Sequence, residues 1–317
     1  MAKAEQIKNL IKMHFEGQQE RFITIALQIA AHEAKLGHTK LANDIKKIID
    51  NAKVNRPKLK PLNGDLQGLI LETEPIERFS DLIVSKNIEE RIQRIITEYI
   101  RINKLRKHNL SNRRKLLLTG PPGTGKTMTA SIISNELNLP LNIVLMDKMV
   151  TKFMGETSAK LRQVFEAIES RKGVYLFDEF DAIGTHRGKD NDVGEMRRVL
   201  NSFLQFIERD SSESLIIAAT NNINLLDQAL FRRFDDVLHY QLPSDDEVLL
   251  LLKNKLGSYG GNIKLEDVIK TCKGLSHAEI ALACMDTIKE CVLNDKPKIT
   301  KLLLEKFIEE KKQAYQK

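Results

Sequence analysis

A glycine-rich segment of eight residues places the strongest constraint on the fold. Residues 120 to 127 read Gly-Pro-Pro-Gly-Thr-Gly-Lys-Thr and closely follow a short apolar run, Leu116 to Leu118. The spacing matches G-x-x-x-x-G-K-[ST], the pattern of a loop that joins a strand to a helix and holds phosphate groups. Its glycines let backbone N–H groups converge on phosphate oxygens, and the helix N-terminus adds a favourable dipole. The segment therefore predicts a nucleotide-binding loop.

Two side chains of this loop have expected contacts of their own. Lys126 should reach the β- and γ-phosphates of ATP, and the Thr127 hydroxyl should bind Mg²⁺. The predicted ATP-binding residues of the loop are Gly120, Pro121, Pro122, Gly123, Thr124, Gly125, Lys126 and Thr127.

An acidic pair follows a second apolar run about 50 residues later. Val174 to Phe177 has the length of a buried strand, and Asp178 and Glu179 come directly after it. Such a pair is commonly only the solvated end of a strand. Together with the phosphate loop it favours a catalytic site, in which Asp178 holds Mg²⁺ through water and Glu179 polarises the attacking water as general base.

The pattern of short apolar runs predicts the fold class. Strand-length runs alternate with helical patterns from residue 76 onward, which is typical of a parallel sheet covered by helices on both faces. The predicted strands are residues 115–119, 141–145, 173–177, 215–219 and 237–240. We expect an α/β fold, a P-loop NTPase parallel sheet flanked by helices, followed by a small helical lid and preceded by a short all-helical domain.

The distribution of helix patterns and chain breakers predicts the domain organisation. Three short helices over residues 1–52 form an N-terminal domain, and the Pro- and Gly-rich stretch 53–75 forms an extended linker. The α/β ATPase domain covers 76–243. Helices predicted at 245–256, 265–271, 276–293 and 300–315 form the lid, 244–317.

Composition and charge narrow the class of protein. The chain is 42% hydrophobic, too apolar for disorder throughout, and has no apolar run near the ~18 residues of a membrane span. Three cysteines without C-x-x-C spacing argue against a disulfide scaffold or zinc ribbon. With no signal peptide visible, we expect a cytoplasmic protein. Residues 1–60 hold 10 Lys and 2 Arg against 4 Glu and 2 Asp. This excess of positive charge fits binding to an acidic partner or to nucleic acid, or simply a solvated helical surface, and these interpretations stay open.

Residues 76–290 resemble the AAA family of ATPases, motif by motif. Leu117 to Thr127 is similar to the family's L-L-x-G-P-P-G-T-G-K-T block, and Ile216 to Asn221 is similar to the strand that ends in its sensor-1 asparagine. By this resemblance Asn221 orients the water near the γ-phosphate. Phe79 to Ile83 resembles the entry segment that contacts adenine, which adds Asp81 and Leu82 to the ATP-binding residues.

Two further resemblances concern assembly and substrate. Residues 226–235 resemble the second region of homology, with adjacent arginines as in microtubule-severing and ESCRT-disassembling members. The resemblance implies that Arg232 and Arg233 reach the γ-phosphate of the neighbouring subunit; which one does more stays open. Phe153, Met154 and Gly155 resemble the first pore loop, which grips unfolded polypeptide.

Gly274 to Ile280 is similar to the lid signature of the family and lacks a sensor-2 arginine.

The resemblance implies an ATP- and Mg²⁺-dependent enzyme that forms a homo-oligomer, a hexameric ring that remodels or unfolds protein substrates. His32 to His38 is similar to a segment of small bacterial AAA ATPases encoded beside subtilisin-like proteases, which adds a partner protease as a hypothesis. Two alternatives stay open, a nucleic-acid-dependent ATPase of the clamp-loader or initiator type and an ATP-driven assembly switch.

Overall fold

A computed structural model gives the architecture of the chain. The structure describes residue 8 and residues 19–54, 66, 68–149, 154–180, 191–222, 231–261, 263–295 and 298–315. The chain divides into two compact units, Met1–Leu59 and Lys60–Lys317. Within the described ranges, no helix is long and apolar enough to cross a membrane.

The first unit contains two described helices, α1 (Gln19–Lys35) and α2 (Thr39–Val54). Gly37 adopts a φ of +85° in the turn between them, a left-handed conformation that glycine adopts without strain. The helices pack through small and branched side chains, which are Ala26, Ile29, Ala30 and Ala42. The earliest of the three predicted helices falls almost entirely outside the described residues, and α2 extends past the predicted domain end at residue 52.

A six-stranded sheet is the centre of the second unit. Its order is β1-β3-β4-β5-β2-β6, with β1 antiparallel to β3 and the remaining neighbours parallel. The strands are β1 (Ile70–Thr73), β2 (Lys115–Thr119), β3 (Leu141–Val144), β4 (Val174–Phe177), β5 (Leu215–Thr220) and β6 (Asp236–His239). Five of these lie where the sequence predicts strands.

Helices cover the sheet and form the C-terminal part. Those of the sheet region are α3 (Lys86–Ile100), α4 (Ile102–Arg106), α5 (Lys126–Glu136), α6 (Met146–Met149), α7 (Met154–Ser170) and α8 (Asn191–Arg209). Those of the lid are α9 (Asp245–Leu256), α10 (His277–Leu293) and α11 (Lys301–Tyr315).

Alternation along the strands builds two apolar layers. Tyr175 and Phe177 face one layer, where Phe165 of α7 and Phe203 of α8 meet Phe177 with ring centroids 5.9 and 5.1 Å away. The alternate residues of the strands, such as Leu176, face the other layer, where they pack with side chains of α3 and α5. Successive side chains of a strand point to opposite faces, so a nearly continuous apolar run is what a sheet covered on both sides requires. The predicted α/β class is confirmed.

A third apolar cluster holds the lid together. Its core includes Leu252 of α9, Ile280 of α10 and Leu304 of α11, all fully buried. Cys272, Cys284 and Cys291 are buried and free, as expected of small apolar residues. Burial raises the pKa of the Cys272 thiol to about 11 and that of Cys284 to about 12, so both thiols stay protonated at neutral pH.

Two parts of the chain differ from the sequence-based expectation. Ile70–Thr73, within the predicted linker 53–75, is an edge strand of the sheet, paired with Leu141–Val144. The pairing partner lies some 70 residues away, and four residues give too short a pattern to indicate a strand. The helix predicted at 265–271 is instead two short 3₁₀ segments, Leu265–Asp267 and Ile269–Cys272.

One ion pair ties this edge strand to the body of the sheet. Arg171 follows α7 and is 7% exposed, and its Nη2 donates to both carboxylate oxygens of Glu72 at 2.8 and 2.7 Å. Its Nε and Nη1 are buried without a hydrogen-bond partner among the described residues. The guanidinium therefore depends on Glu72 for its charge compensation.

Glu72→Gln is expected to destabilise the protein by about 1–3 kcal/mol, because it leaves a buried cation without a counter-charge. The value stays below that of a fully buried pair because the Glu72 side chain is 34% exposed. Urea unfolding measures it as a lower midpoint at unchanged slope. Glu74→Gln, at an exposed neighbouring position, is the control, and an equal shift in both variants would contradict the role given to the pair.

Candidate nucleotide-binding site

Close packing dictates the shape of the loop between β2 and α5. Gly120, Gly123 and Gly125 have φ values of +142°, +72° and +100°. A Cβ on Gly120 would lie 2.3 Å from the carbonyl oxygen of Tyr240, which follows β6. A Cβ on Gly123 would lie 2.5 Å from the Ser276 hydroxyl, at the start of the lid helix α10. A side chain at either position would clash with its neighbours, and the positive φ values also favour glycine at both positions.

The cation of the site lies across this loop. Lys126 is the first residue of α5 and is 6% exposed. Its Nζ donates to the carbonyl oxygens of Gly120 and Pro121 at 2.7 and 2.8 Å. Thr124 stiffens the same turn, since its hydroxyl donates to Pro121 O at 2.8 Å. A lysine ammonium and a helix N-terminus at one glycine-rich turn form a site for phosphate groups.

A hydroxyl and a carboxylate meet beside the loop. Thr127 Oγ1 of α5 donates to Asp178 Oδ2, which follows β4, at 2.6 Å. Hard oxygen donors of this kind suit Mg²⁺, which usually keeps several waters and takes one or two protein ligands plus phosphate oxygens. Within the described ranges, no group of three or more His, Cys, Asp or Glu side chains could hold a metal without such help. The donor set thus fits a magnesium ion that arrives with its nucleotide.

Glu179 and Asn221 are brought together by the sheet. They follow β4 and β5, which are parallel neighbours, so both residues lie at the same edge and both line the cleft. Glu179 has a φ of +50°, and its N–H donates to Asp178 Oδ1 at 2.9 Å. This left-handed conformation is uncommon and costly for a residue with a long side chain, and strained residues of this kind cluster at active sites. Their shared place in the cleft fits the roles that the sequence predicts for them, a general base and a residue that orients the attacking water.

The cleft above the loop has a volume of about 400 Å³ and two walls. The α/β wall includes Asp81 and Leu82, both predicted, and the loop from Pro122 to Thr127. Gly120 and Pro121 do not line the cleft but accept the Lys126 hydrogen bonds. The lid wall consists of residues that no motif singled out as ligands, namely Leu251, Lys255, His277, Ala278 and Ala281. Only the packing of α9 and α10 on the loop reveals them.

A hydrogen bond and an apolar side chain join the lid to the ATPase core. The Ala278 N–H donates to Gly123 O at 3.0 Å. Ile83 is buried in the lid cluster, although it belongs to the entry segment that precedes α3. The nucleotide cleft is therefore closed on one side by contacts between distant parts of the chain.

The predicted arginines, and Met154 and Gly155 of the predicted pore loop, do not line the cleft. Arg232 is exposed, and Arg233 forms an ion pair with Glu208 of α8; neither lines the cleft of its own chain. Phe153 lies outside the described residues. Met154 and Gly155 begin helix α7, rather than extending the loop before it.

Comparisons with known proteins decide the family. Residues 116–242 match the family described as ATPase family associated with various cellular activities (AAA). An AAA family ATPase of Sinorhizobium fredii (strain NBRC 101917 / NGR234) is 32% identical over 306 residues, which cover 94% of this chain and 92% of that protein. The chain belongs to the AAA family of ATPases. This AAA protein accordingly hydrolyses ATP.

Two further relatives of this AAA ATPase are longer than the chain. A proteasome-activating nucleotidase of Methanoculleus marisnigri is 30% identical over 235 residues, 71% of this chain and 57% of that protein. The ATP-dependent zinc metalloprotease FtsH 2 of Thermoanaerobacter sp. is 30% identical over 240 residues, 73% of this chain and 46% of that protein. The chain thus spans about half the length of these two relatives.

Glu179→Gln is expected to bind ATP and to lose turnover by about 10²–10⁴-fold, because the amide cannot accept the proton of the attacking water. Lys126→Ala should instead lose ATP binding, since it removes the cation of the phosphate loop. Calorimetric ATP affinity and phosphate release distinguish the two variants. Near-normal turnover in Glu179→Gln would remove Glu179 from the role of base.

Proposed function

We propose that this AAA ATPase assembles into a hexameric ring in the cytoplasm and uses ATP to unfold or remodel protein substrates by threading them through its pore. Two relatives, a proteasome-activating nucleotidase and an ATP-dependent zinc metalloprotease, connect related ATPase domains with proteolysis by their names. A partner protease that receives the threaded chain is part of the proposal.

The chain's own cleft provides most of the hydrolysis machinery. Lys126 binds the β- and γ-phosphates, and Thr127 and Asp178 hold Mg²⁺, which neutralises phosphate charge when bound. Glu179 takes the proton of the attacking water, and Asn221 orients that water. Each of these side chains either follows the carboxyl end of a strand or lies in the first turn of helix α5, which gives it a rigid support.

One observation carries the proposal of a ring. Among the described residues that line the cleft, none is an arginine. An arginine that stabilises the transition-state charge is worth about 10³–10⁵ in rate. Arg232 is exposed and Arg233 lies beside Glu208, away from the cleft. A neighbouring subunit that presents these arginines completes the site, so hydrolysis depends on assembly.

Mixed rings test this dependence. One subunit carries Glu179→Gln with intact arginines, and the other carries Arg232→Ala and Arg233→Ala with intact Glu179. Neither should hydrolyse ATP quickly alone, and the mixture should recover part of the wild-type rate at interfaces that join an intact base to intact arginines. Phosphate release and light scattering measure activity and assembly. Mixed rings without any recovery would contradict action between subunits.

Threading depends on the sequence around Phe153. This aromatic residue precedes helix α7, whose first residues are Met154 and Gly155. An aromatic side chain offers apolar contact that tolerates many substrate sequences. We propose that Phe153 grips the extended polypeptide in the ring and that hydrolysis moves this grip.

Phe153→Ala is expected to keep ATP binding, assembly and most of the basal hydrolysis, because Phe153 is not assigned to the nucleotide site. Unfolding of a fluorescent model substrate should be abolished. A core phenylalanine would behave differently, with a loss of about 3–5 kcal/mol in stability and a lower melting temperature. A stable Phe153→Ala variant that still unfolds substrate would overturn the threading proposal.

The basic N-terminal stretch favours one competing function. Residues 1–60 carry most of the net charge of +7, and a basic surface attracts nucleic acid. Hydrolysis stimulated by DNA rather than by unfolded protein would support a nucleic-acid-dependent ATPase. Affinity capture on the Glu179→Gln variant, followed by mass spectrometry, identifies substrate and protease candidates for direct assays.

A further inference from the structure

A histidine at the start of the lid helix, next to the phosphate loop, has no hydrogen-bond partner among the described residues. His277 is the first residue of α10, after Ser276, whose hydroxyl accepts the Glu279 N–H at 3.4 Å. Both ring nitrogens of His277 are buried, and neither has a partner among the described residues. Burying polar atoms without hydrogen bonds destabilises a folded protein, so such an atom in a native structure calls for a ligand or a bound water.

The surroundings of His277 connect it to the nucleotide. It lines the cleft of about 400 Å³, and with Thr124 it also lines a neighbouring cavity of about 350 Å³ behind the loop. The next residue, Ala278, donates its N–H to Gly123 O at 3.0 Å. His277 is therefore the immediate neighbour of a residue that bonds the lid helix to the phosphate loop.

The electrostatic environment favours a neutral imidazole. Burial lowers the pKa of His277, and the Glu247 carboxylate opposes that effect. Arg91 and His239 also line the neighbouring cavity, and His239 Nδ1 shares a hydrogen bond with Thr119 Oγ1 at 2.8 Å. A neutral imidazole has one donor and one acceptor nitrogen. It therefore suits a hydroxyl group, which is also both donor and acceptor, better than it suits a phosphate oxygen.

The position of His277 along the cleft selects the part of the nucleotide. Lys126 and the loop define the phosphate end, and the apolar side chains of Leu82, Leu251 and Ala281 form walls suited to the base. His277 precedes by one residue Ala278, which bonds to Gly123 of the loop, and by about one helical turn Ala281 of the apolar wall, so along α10 it lies where the loop end meets the apolar end. We propose that His277 hydrogen-bonds a ribose hydroxyl of the bound nucleotide and thereby couples the lid helix to nucleotide occupancy.

Rotation of the ring makes this contact available. A half-turn about the Cβ–Cγ bond exchanges the nitrogen and carbon edges of an imidazole, so it can present a nitrogen to the cleft without movement of α10. The inference depends on nucleotide binding in this cleft and is independent of whether the protein threads substrates. Its failure would leave the proposed remodelling function untouched.

The test combines His277→Leu in the full-length chain with three nucleotides, ADP, 2′-deoxy-ADP and 3′-deoxy-ADP. ADP avoids turnover during calorimetry. The wild type should lose about three- to tenfold in affinity when the contacted hydroxyl is missing. His277→Leu should bind ADP three- to tenfold more weakly and should show no further loss with that deoxy analogue, because the partner of the hydroxyl has already gone.

Stability without nucleotide supplies the second measurement. His277→Leu removes buried polar atoms that have no described partner, so its melting temperature should be unchanged or higher. His277→Ala carries the same binding expectation if leucine disturbs the packing, and His108→Leu, at an exposed position, is the matched control. Unchanged ADP affinity, or a deoxy penalty as large in the variants as in the wild type, would overturn the proposal. A lower melting temperature with normal binding would do the same, and would indicate a water-bonded structural histidine.

Discussion

The close approach of the phosphate loop to two distant parts of the chain governs the rest of this structure. Gly120 packs against the Tyr240 carbonyl after β6, and Gly123 packs against Ser276 and accepts the Ala278 N–H. The loop is therefore held between the sheet edge and the lid. A side chain at either glycine would force these elements apart, so the shape of the phosphate loop depends on where the sheet edge and the lid lie.

The sheet fixes the positions of the predicted catalytic residues. β4 and β5 are fully buried parallel neighbours, and Asp178, Glu179 and Asn221 follow their carboxyl ends. Ligands of open α/β sheets bind outside these carboxyl ends. The aromatic contacts of Phe165 and Phe203 with Phe177 hold the end of β4 in place one residue before the acidic pair. Core packing thus positions side chains that are themselves exposed to the cleft.

The proposed ring follows from what the single chain places away from its cleft. Glu208 at the end of α8 pairs with Arg233, and Arg232 is exposed. In the isolated subunit these cations can contribute nothing to phosphate chemistry in their own cleft. If a neighbour presents them, assembly controls hydrolysis, and the lid contact that we assign to His277 adds a way for occupancy to reach the rest of the ring.

The sequence alone was enough to predict the phosphate loop, the acidic pair, five strands and three of the four expected lid helices, because each depends on spacing within a few residues of the chain. The match of helix α9 to the predicted range 245–256 is of this local kind, since Ser244 caps it and Glu247 completes the capping box. Edge strand β1, the Arg171–Glu72 pair and the lid wall of the cleft were decided by tertiary structure. Ile70–Thr73 becomes a strand only when Leu141–Val144 is there to pair with it. The ring nitrogens of His277 are likewise buried, without a partner among the described residues, in a fold where α10 packs against a loop about 150 residues earlier in the chain, a contact that no local pattern encodes.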